Sequence, residues 1–469
     1  LRHICPLNAN PEIQPVKIII IGAGEVGFHI ASHLTAEDKD VVVIDKDPEA
    51  TRRVSDNLDV QVLVGSGSSP VTLEEAGIHG AEIILAVTDS DEVNLVSCLV
   101  ADIVSPGTKK LARLRGENFD AYIEPLRQNA PHIDTVINPE IEVVKTIERM
   151  MMVPGAVDVG EFAEGRVKFI GVRLDEQSPL IGKRMMDLPA ILEGRRLLIA
   201  AMIRQEELII PRGRDRLMAG DLVYFISDEN PLAGIMTIFG KHSEPVHRVM
   251  IVGGGRIGLR LAHRLEGLGI HTKIVERRPE RCQMLAEQLN KTVVLHGDGS
   301  DQALLTEENI QEIDLMVTLT NDEETNILSS LLAKRLGARK TITKINKFSY
   351  LPLMSAIGLD HVVSPRLSAI NSILQHIRRG KILSAISLKN EQAEAMEAVA
   401  LETSDIVGKP LRDINFPKGS LVTGIIRGQE VIIPTGESVI APDDRIIIFA
   451  RRDAIASIEK ILAVKLEYF

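Results

Sequence analysis

The sequence predicts an α/β protein with two doubly wound parallel sheets, each followed by a small α+β domain. Three observations carry that reading: a long internal repeat, near-continuous aliphatic runs ending at glycine loops, and a change of patterning inside each repeat. "IIIIGAGEVG" returns as "VMIVGGGRIG", with Gly22 and Gly253 231 positions apart, and Asp45 and Glu276 keep that spacing. "VGSGS" at 64–68 returns as "HGDGS" at 296–300, and "VTDSDEVN" at 87–94 returns as "LTNDEETN" at 319–326, both at an offset of 232. "PLIGKRMMDL" from Pro179 matches "DIVGKPLRDI" from Asp405, and "ELIIP" matches "EVIIP". One offset held across separated motifs points to duplication of a two-part module.

The elements of the first unit follow in order. Strands are expected at 17–21, 40–45, 60–64, 82–88, 110–114 and 135–138. Each is a short aliphatic run, as strands need when both sheet faces are covered, and helical stretches alternate with them. "NPEIEVVKTIERMMM" at 138–152 predicts a helix opened by Pro139, with Ile141, Val144, Ile147 and Met151 on one face. Its partner at 364–380 places Leu367, Ile370, Leu374 and Ile377 on one face. The segments 155–240 and 383–465 carry short alternating runs such as "VKFIGVRL" and "DLVYFIS", split by Gly, Pro and Asp, which predicts a small mixed domain. The expected division is 16–152, 155–242, 246–380 and 383–466.

Composition narrows the function classes. Aromatic residues are 3% of the chain and Trp is absent, so the core must be aliphatic. A net charge of −11 argues against a general nucleic-acid binder. No apolar run is long enough to span a bilayer. The first fifteen residues lack the layout of a leader and read as a loose extension. Cys5, Cys98 and Cys282 are scattered and fit no metal spacing, and Cys98 falls in an expected buried helix. A reduced, cytoplasmic protein is the simplest expectation.

Gly22, Gly24 and Gly27 form G-x-G-x-x-G directly after a strand. In that context the first glycine allows a tight turn, the second admits a pyrophosphate to the backbone, and the third packs helix on strand. The helix start then offers N–H groups and a partial positive charge to phosphate. Asp45 ends the next strand, 23 positions after Gly22, where its carboxylate suits ribose hydroxyls and disfavours a 2′-phosphate. Gly253, Gly255, Gly258 and Glu276 repeat the pattern. Two Rossmann-type nucleotide-binding domains are therefore expected, with NAD or NADH favoured over the phosphorylated form.

The loops differ at one position, Glu25 against Arg256. A guanidinium there suits terminal phosphates, so ATP or ADP is expected to be tolerated better at the second site; a solvated surface arginine is the plainer alternative. Thr88 and Asp89, and Thr320 and Asn321, end the fourth strands, where they either contact the adenosine or cap the next helix. Arg113 and Lys344 end the fifth strands and serve a phosphate, a subunit contact or a surface ion pair.

Catalytic machinery is not evident. His132 and His361 sit in no shared motif, and no C-x-x-C or paired-carboxylate signature occurs. The methionine pairs at 151–152 and 185–186 read as packing, and "ERRPERC" and "HIRRGK" as solvated helix faces. The expectation is a sensor rather than an enzyme. An NAD-dependent oxidoreductase and a regulator of a cation/proton antiporter are the alternatives.

"IIIIGAGEVG", "VVVID", "VGSGS", "AVTDSDEVNLVSCLVA" and "LARLR" resemble the N-terminal half of an RCK module, a regulator of potassium conductance. With "MIVGGGRIG", "LTNDEETNILSSLLAKRLGA" and "GLDHVVSP", the tandem arrangement is similar to the TrkA family of Trk-system potassium uptake regulators, from Val16 to about Leu466. The resemblance implies a cytoplasmic regulatory subunit, peripheral on the inner face of the membrane. It implies an integral-membrane potassium transporter (TrkH/TrkG-like) as partner, a ring-forming homo-oligomer, expected to be a tetramer, and no nucleic acid. It implies that the helices after Pro139 and Pro365 are crossover helices pairing neighbouring units. Carried over, the first site is Gly22, Ala23, Gly24, Glu25, Val26, Gly27, Asp45, Thr88, Asp89 and Arg113. The second is Gly253, Gly254, Gly255, Arg256, Ile257, Gly258, Glu276, Thr320 and Asn321. Lys344 departs from the arginine of the first unit. The ligands implied are NAD(H) or adenine nucleotides, with no catalytic residue and no metal.

Overall fold

The computed structural model describes residues 16–462 except 38, 131, 154, 206, 229–231, 242–244, 360, 378–381 and 389–391. The N-terminal extension, Cys5 and most of the "HIRRGK" run therefore lie outside the described residues. The chain separates into two compact units, 1–138 and 139–469.

The first unit is one six-stranded parallel sheet: β1 (Lys17–Ile21), β2 (Asp40–Asp45), β3 (Gln61–Val64), β4 (Ile83–Ala86), β5 (Lys109–Arg113) and β6 (Thr135–Ile137). Their order is β3-β2-β1-β4-β5-β6, so the chain changes direction across the sheet between β1 and β4. The expected strands agree within a few residues at every end. Ile18, Ile19 and Ile20 are fully buried because helices cover both faces, and β-branched side chains pack well there. The crevice at the carboxyl ends of β1 and β4 follows from the order of strands.

The second unit begins with the helix Pro139–Met152 and the first small sheet, β7 (Asp158–Phe162), β8 (Val167–Arg173), β9 (Leu197–Arg204), β10 (Glu207–Ile209) and β11 (Leu222–Ser227). Next come β12 (Arg248–Val252), β13 (His271–Glu276), β14 (Val293–His296), β15 (Leu315–Thr318), β16 (Thr341–Lys344) and β17 (Val362–Val363), which rebuild the parallel sheet in the same order. The second small sheet is β18 (Ile382–Leu388), β19 (Ala393–Val399), β20 (Ser420–Arg427), β21 (Glu430–Ile432) and β22 (Arg445–Arg451). Both small sheets are antiparallel and share one topology.

Within this unit the small sheets pack on each other. Phe169 and Tyr224 of one share a core with Ala395 and Phe449 of the other, and the Phe169 and Phe449 rings stack at 6.3 Å. Glu397 is buried, but it accepts the Ala163 amide at 3.1 Å and pairs with Arg445, which satisfies its charge.

The helix Pro139–Met152 packs on the helices Arg256–Gly267 and Pro365–Ile377. Its buried stripe is Val143, Val144, Ile147 and Met151, with Ile141 only half-buried. The sequence placed Ile141 in the stripe and missed Val143. Contact with two helices rather than one rotates and widens the buried face. Cys98 is buried as expected, and burial pushes its thiol up to about 12, which makes it inert.

Candidate functional site

The three glycines of each loop have different reasons to be glycine. Gly22 and Gly253 have φ of +111° and +107°, a backbone that a side chain rarely adopts. Gly27 has an ordinary backbone, but a Cβ there would lie 1.8 Å from the Gly22 carbonyl oxygen; at Gly258 the distance to Gly253 is 2.1 Å. These two glycines let the helix pack against the turn. Gly24 and Gly255 need neither excuse. Their φ values are −66° and −68°, and an added Cβ would meet nothing within 4 Å. The fold therefore does not require glycine at the middle position of either loop.

Those middle glycines are also the N-caps of the helices Glu25–Thr35 and Arg256–Gly267, and neither cap carries a side-chain hydrogen bond. The next three helices of the first sheet start on capping side chains, Asp47, Ser69 and Ser90. The glycine-loop helices thus present their first turn without a capping side chain. Val26 and Ile257 turn their side chains inward and are buried, so only their backbones face the crevice.

Asp45 and Glu276 fix the loops. Asp45 accepts the Ala23 amide at 2.6 Å and the Asp47 amide at 2.9 Å. Glu276 accepts the Gly254 amide at 3.0 Å and the Arg278 amide at 2.9 Å. Burial opposes the Glu276 charge, but these amides and the Arg278 guanidinium outweigh it and lower its pKa. Both Asp45 oxygens, and Glu276 Oε2, keep a lone pair for a hydroxyl. The carbonyls behind the amides are also held: Arg53 donates to Ala23 O at 3.1 Å and Arg281 to Gly254 O at 2.6 Å. The "ERRPERC" run is therefore not merely a solvated face, because Arg278 and Arg281 turn back onto the loop. The two braces come from positions that do not match in the repeat, and the backbone target is the same.

The ends of β4 and β15 are organised by residues the sequence reading passed over. Asn94 accepts the Thr88 amide and hydroxyl at 2.9 and 2.8 Å and donates to the carbonyls of Thr88 and Arg113. Asn326 does the same for Thr320 and Lys344. Both are fully buried. Their signal was present, since each closes a repeated motif, "VTDSDEVN" and "LTNDEETN". Helix capping falls to Ser90 and Asp322 rather than to Asp89 or Asp91. Asp89 instead takes a 2.8 Å bond from Arg113, and Asp91 accepts the amides of Arg115 and Gly116.

Arg113 is buried and also donates to Thr88 O at 2.8 Å. Burial and the neighbouring Arg115 lower its pKa, against the pull of Asp89. Lys344 is buried with longer contacts, 3.5 Å to Leu319 O and 3.5 Å to Asn321 Oδ1; burial lowers its pKa while Glu140 and Glu323 raise it. Glu25 pairs with Arg53 at 2.7 Å, and Arg53 lies over the Phe28 ring. Arg256 stays about half exposed and pairs at 2.8 Å with Glu140 on the helix Pro139–Met152.

The second crevice encloses about 340 Å³, between Gly253, Gly255, Glu276, Asp298, Thr320 and Asn321. Asp298 belongs to "HGDGS", which the sequence analysis used only as a repeat marker. Its neighbour Gly299 is needed for packing, because a Cβ there would lie 2.1 Å from Val252. Among the described residues no cluster of His, Cys, Asp and Glu could hold a metal ion. His132 is half-exposed and lies near Asp102.

The geometry defines a class: a tandem protein of doubly wound domains with glycine-loop crevices, each paired with a small antiparallel domain. TrkA-N domain models match residues 18–139 and 249–365, and TrkA-C domain models match 169–240 and 395–463. A "Trk system potassium uptake protein TrkA" of Azorhizobium caulinodans is 38% identical over 461 residues, 97% of this chain and all of that one. The protein of that name from Halomonas elongata is 38% identical over 97% of this chain and all of its own length. A homologue from Methanosarcina mazei is 37% identical over 95% of this chain. The chain belongs to the TrkA family. Solved structures share its fold: the GsuK RCK domain superposes with a TM-score of 0.58 at 18% identity, covering 98% of both chains. The GsuK channel bound to NAD gives 0.59 at 18% identity, over 97% of this chain and 80% of that one.

Proposed function

We propose that the chain is the regulatory nucleotide-binding subunit of a potassium uptake system and gates a separate integral-membrane transporter of the TrkH/TrkG kind. The observation that carries the nucleotide reading is the middle glycine of each loop. The protein's own packing and backbone give no reason for Gly24 or Gly255, whereas a pyrophosphate drawn close to the loop does. The uncapped helix starts beside them suit an anion, and Asp45 and Glu276 offer acceptors to ribose hydroxyls. These residues fit NAD(H) and adenine nucleotides alike, since both carry the adenosine ribose and phosphates. The ligand-binding set is that of the sequence analysis, with Asn94 and Asn326 as positioning residues behind Thr88 and Thr320.

The described residues that line the second crevice include no His, Cys, Lys or Tyr, which supports a sensor rather than an enzyme. The relatives' shared name supports potassium uptake, and the absence of a membrane-length apolar helix among the described residues supports a separate transporter chain. The chain acts at the inner face of the membrane as a homo-oligomer, in the four-domain division given above. A nucleotide shifts its shape only by the difference in affinity between two states. The ion pair of Arg256 with Glu140 supports one such difference at the second site: a ligand whose terminal phosphates recruit Arg256 must compete with the carboxylate of the crossover helix.

The test is retention of the protein on a detergent-solubilised potassium transporter, with NADH or ATP present. The proposal requires retention that changes with nucleotide, and a response to ATP altered in Arg256→Ala. Retention without any nucleotide response, or NADH turnover with a defined carbonyl substrate, contradicts it.

A further inference from the structure

The first small domain carries a surface that its duplicate lacks. Residues 182–187 and 212–218 run antiparallel: Met185 N donates to Asp215 O, Met186 N to Gly213 O, Leu217 N to Lys183 O, and Arg184 bridges Arg216. Side chains alternate across such a ribbon. Leu217 and Met185 turn inward onto the core. Arg184, Met186, Arg214, Arg216 and Met218 therefore share the outer face. Met186 is 58% exposed and Met218 49%, and Arg212 and Lys183 flank them in solvent. Arg184 is held by Asp187, and Asp215 accepts the Arg212 amide. Five cations against two carboxylates leave the ribbon at +3 in a chain of −11.

The duplicate has the same backbone. Leu411 N donates to Ser438 O, Arg412 N to Gly436 O, and Pro410 bridges Val439. Its outer face reads Pro410, Arg412, Glu437, Val439 and Ala441. Arg412 and Glu437 pair with each other, and the two segments, 408–413 and 435–441, sum to zero charge. Shared architecture therefore explains the ribbon but not its arginines and methionines.

We propose that the ribbon of the first small domain docks on the anionic headgroup surface of a lipid bilayer. It deepens the membrane-face reading above, but rests on this ribbon alone. The ribbon sets guanidinium groups, which bind phosphates, beside unbranched thioethers that enter the acyl boundary. Each cation near an anionic leaflet strengthens binding about fivefold. Several copies in an oligomer multiply a weak individual contact.

The test is flotation of the full chain with transporter-free vesicles, either phosphatidylglycerol–phosphatidylcholine mixtures or phosphatidylcholine alone. The wild type is expected to float with the anionic vesicles only, less so at high salt. Arg212→Gln with Arg214→Gln is expected to reduce flotation about tenfold or more. Glu437→Arg with Val439→Arg, which puts cations on the duplicate ribbon, is expected to increase it. Wild-type protein that stays in solution with anionic vesicles overturns the proposal. So does equal flotation with both vesicle types, flotation indifferent to these variants, or retention by an acidic polypeptide but not by lipid. None of these results bears on nucleotide-dependent retention by a solubilised transporter, so failure here and failure of the proposed function are told apart.

Discussion

The two glycine loops are built to one plan with different parts. Both hang on a carboxylate that takes two backbone amides, but the first uses Asp45 and the second the longer Glu276. The second loop residue is Ala23 in one and Gly254 in the other, and the residue 231 positions on from Val54 is Leu285. A Cβ on Gly254 would lie 2.3 Å from Leu285 Cδ1. At these matching positions alanine with valine and glycine with leucine carry the same number of side-chain carbons. The duplicated sites have thus drifted while conserving volume and hydrogen bonds, as cores tolerate best. What was not conserved is the charge around the opening. At the first loop a carboxylate, Glu25, pairs with Arg53, and at the second a guanidinium, Arg256, pairs with Glu140.

The largest expected effect breaks both sites alike. Gly27→Ala and Gly258→Ala each drive a Cβ into a backbone carbonyl that cannot move without unmaking the turn. Each is expected to cost about 3 kcal/mol or more, measured by denaturant unfolding of the full chain. A loss well below 1 kcal/mol in either would mean that the loop packs differently from the description here.

The second prediction separates the sites. Gly254→Ala is expected to destabilise by about 1–3 kcal/mol, and Leu285→Val in the same chain to recover most of that. The first unit already combines Ala23 with Val54 at the matching positions, so it is the natural double mutant. If the pair of substitutions is additive, the volume exchange is not what distinguishes the loops.

A smaller effect concerns Glu266, at the end of the helix after the second loop. It accepts the amides of Asn290, Lys291 and Thr292, whereas the matching residue of the first unit, Thr35, bonds only within its own helix. Burial opposes the Glu266 charge, but those amides outweigh it, and its pKa falls to about 2 from an ordinary 4.5. A carboxylate depressed on folding stabilises above its unfolded pKa and loses that contribution as pH falls toward its folded one. Glu266→Gln is therefore expected to be less stable than wild type at neutral pH, with the difference shrinking between pH 4.5 and pH 2. A difference that does not change with pH would show that the carboxylate's charge plays no part.

Much of this was legible in the sequence. Aliphatic runs such as "KIIII" fit strands of a sheet covered on both faces, and the repeated motifs implied a second sheet of the same kind. The acid after the glycine loop was legible because strand length fixes its distance. The pairing of Arg256 with Glu140 was not, because it joins residues 116 positions apart on two helices whose packing no spacing reveals. Nor were the braces from Arg53 and Arg281, since they reach one target from unmatched positions. Asn94 and Asn326 were visible as repeats, but an asparagine in a helix reads as surface until the carbonyls it serves are known.

The central claim is that Gly24 and Gly255 are kept open for a ligand rather than for the fold. Calorimetric titration of NADH and ATP into wild type, Gly24→Ala and Gly255→Ala tests it most directly, with unfolding measured alongside. The account predicts stability within about 1 kcal/mol of wild type in both variants, and loss of nucleotide binding at the altered loop alone. Undiminished binding in both variants, or a wild type that takes up no adenine nucleotide, would contradict it.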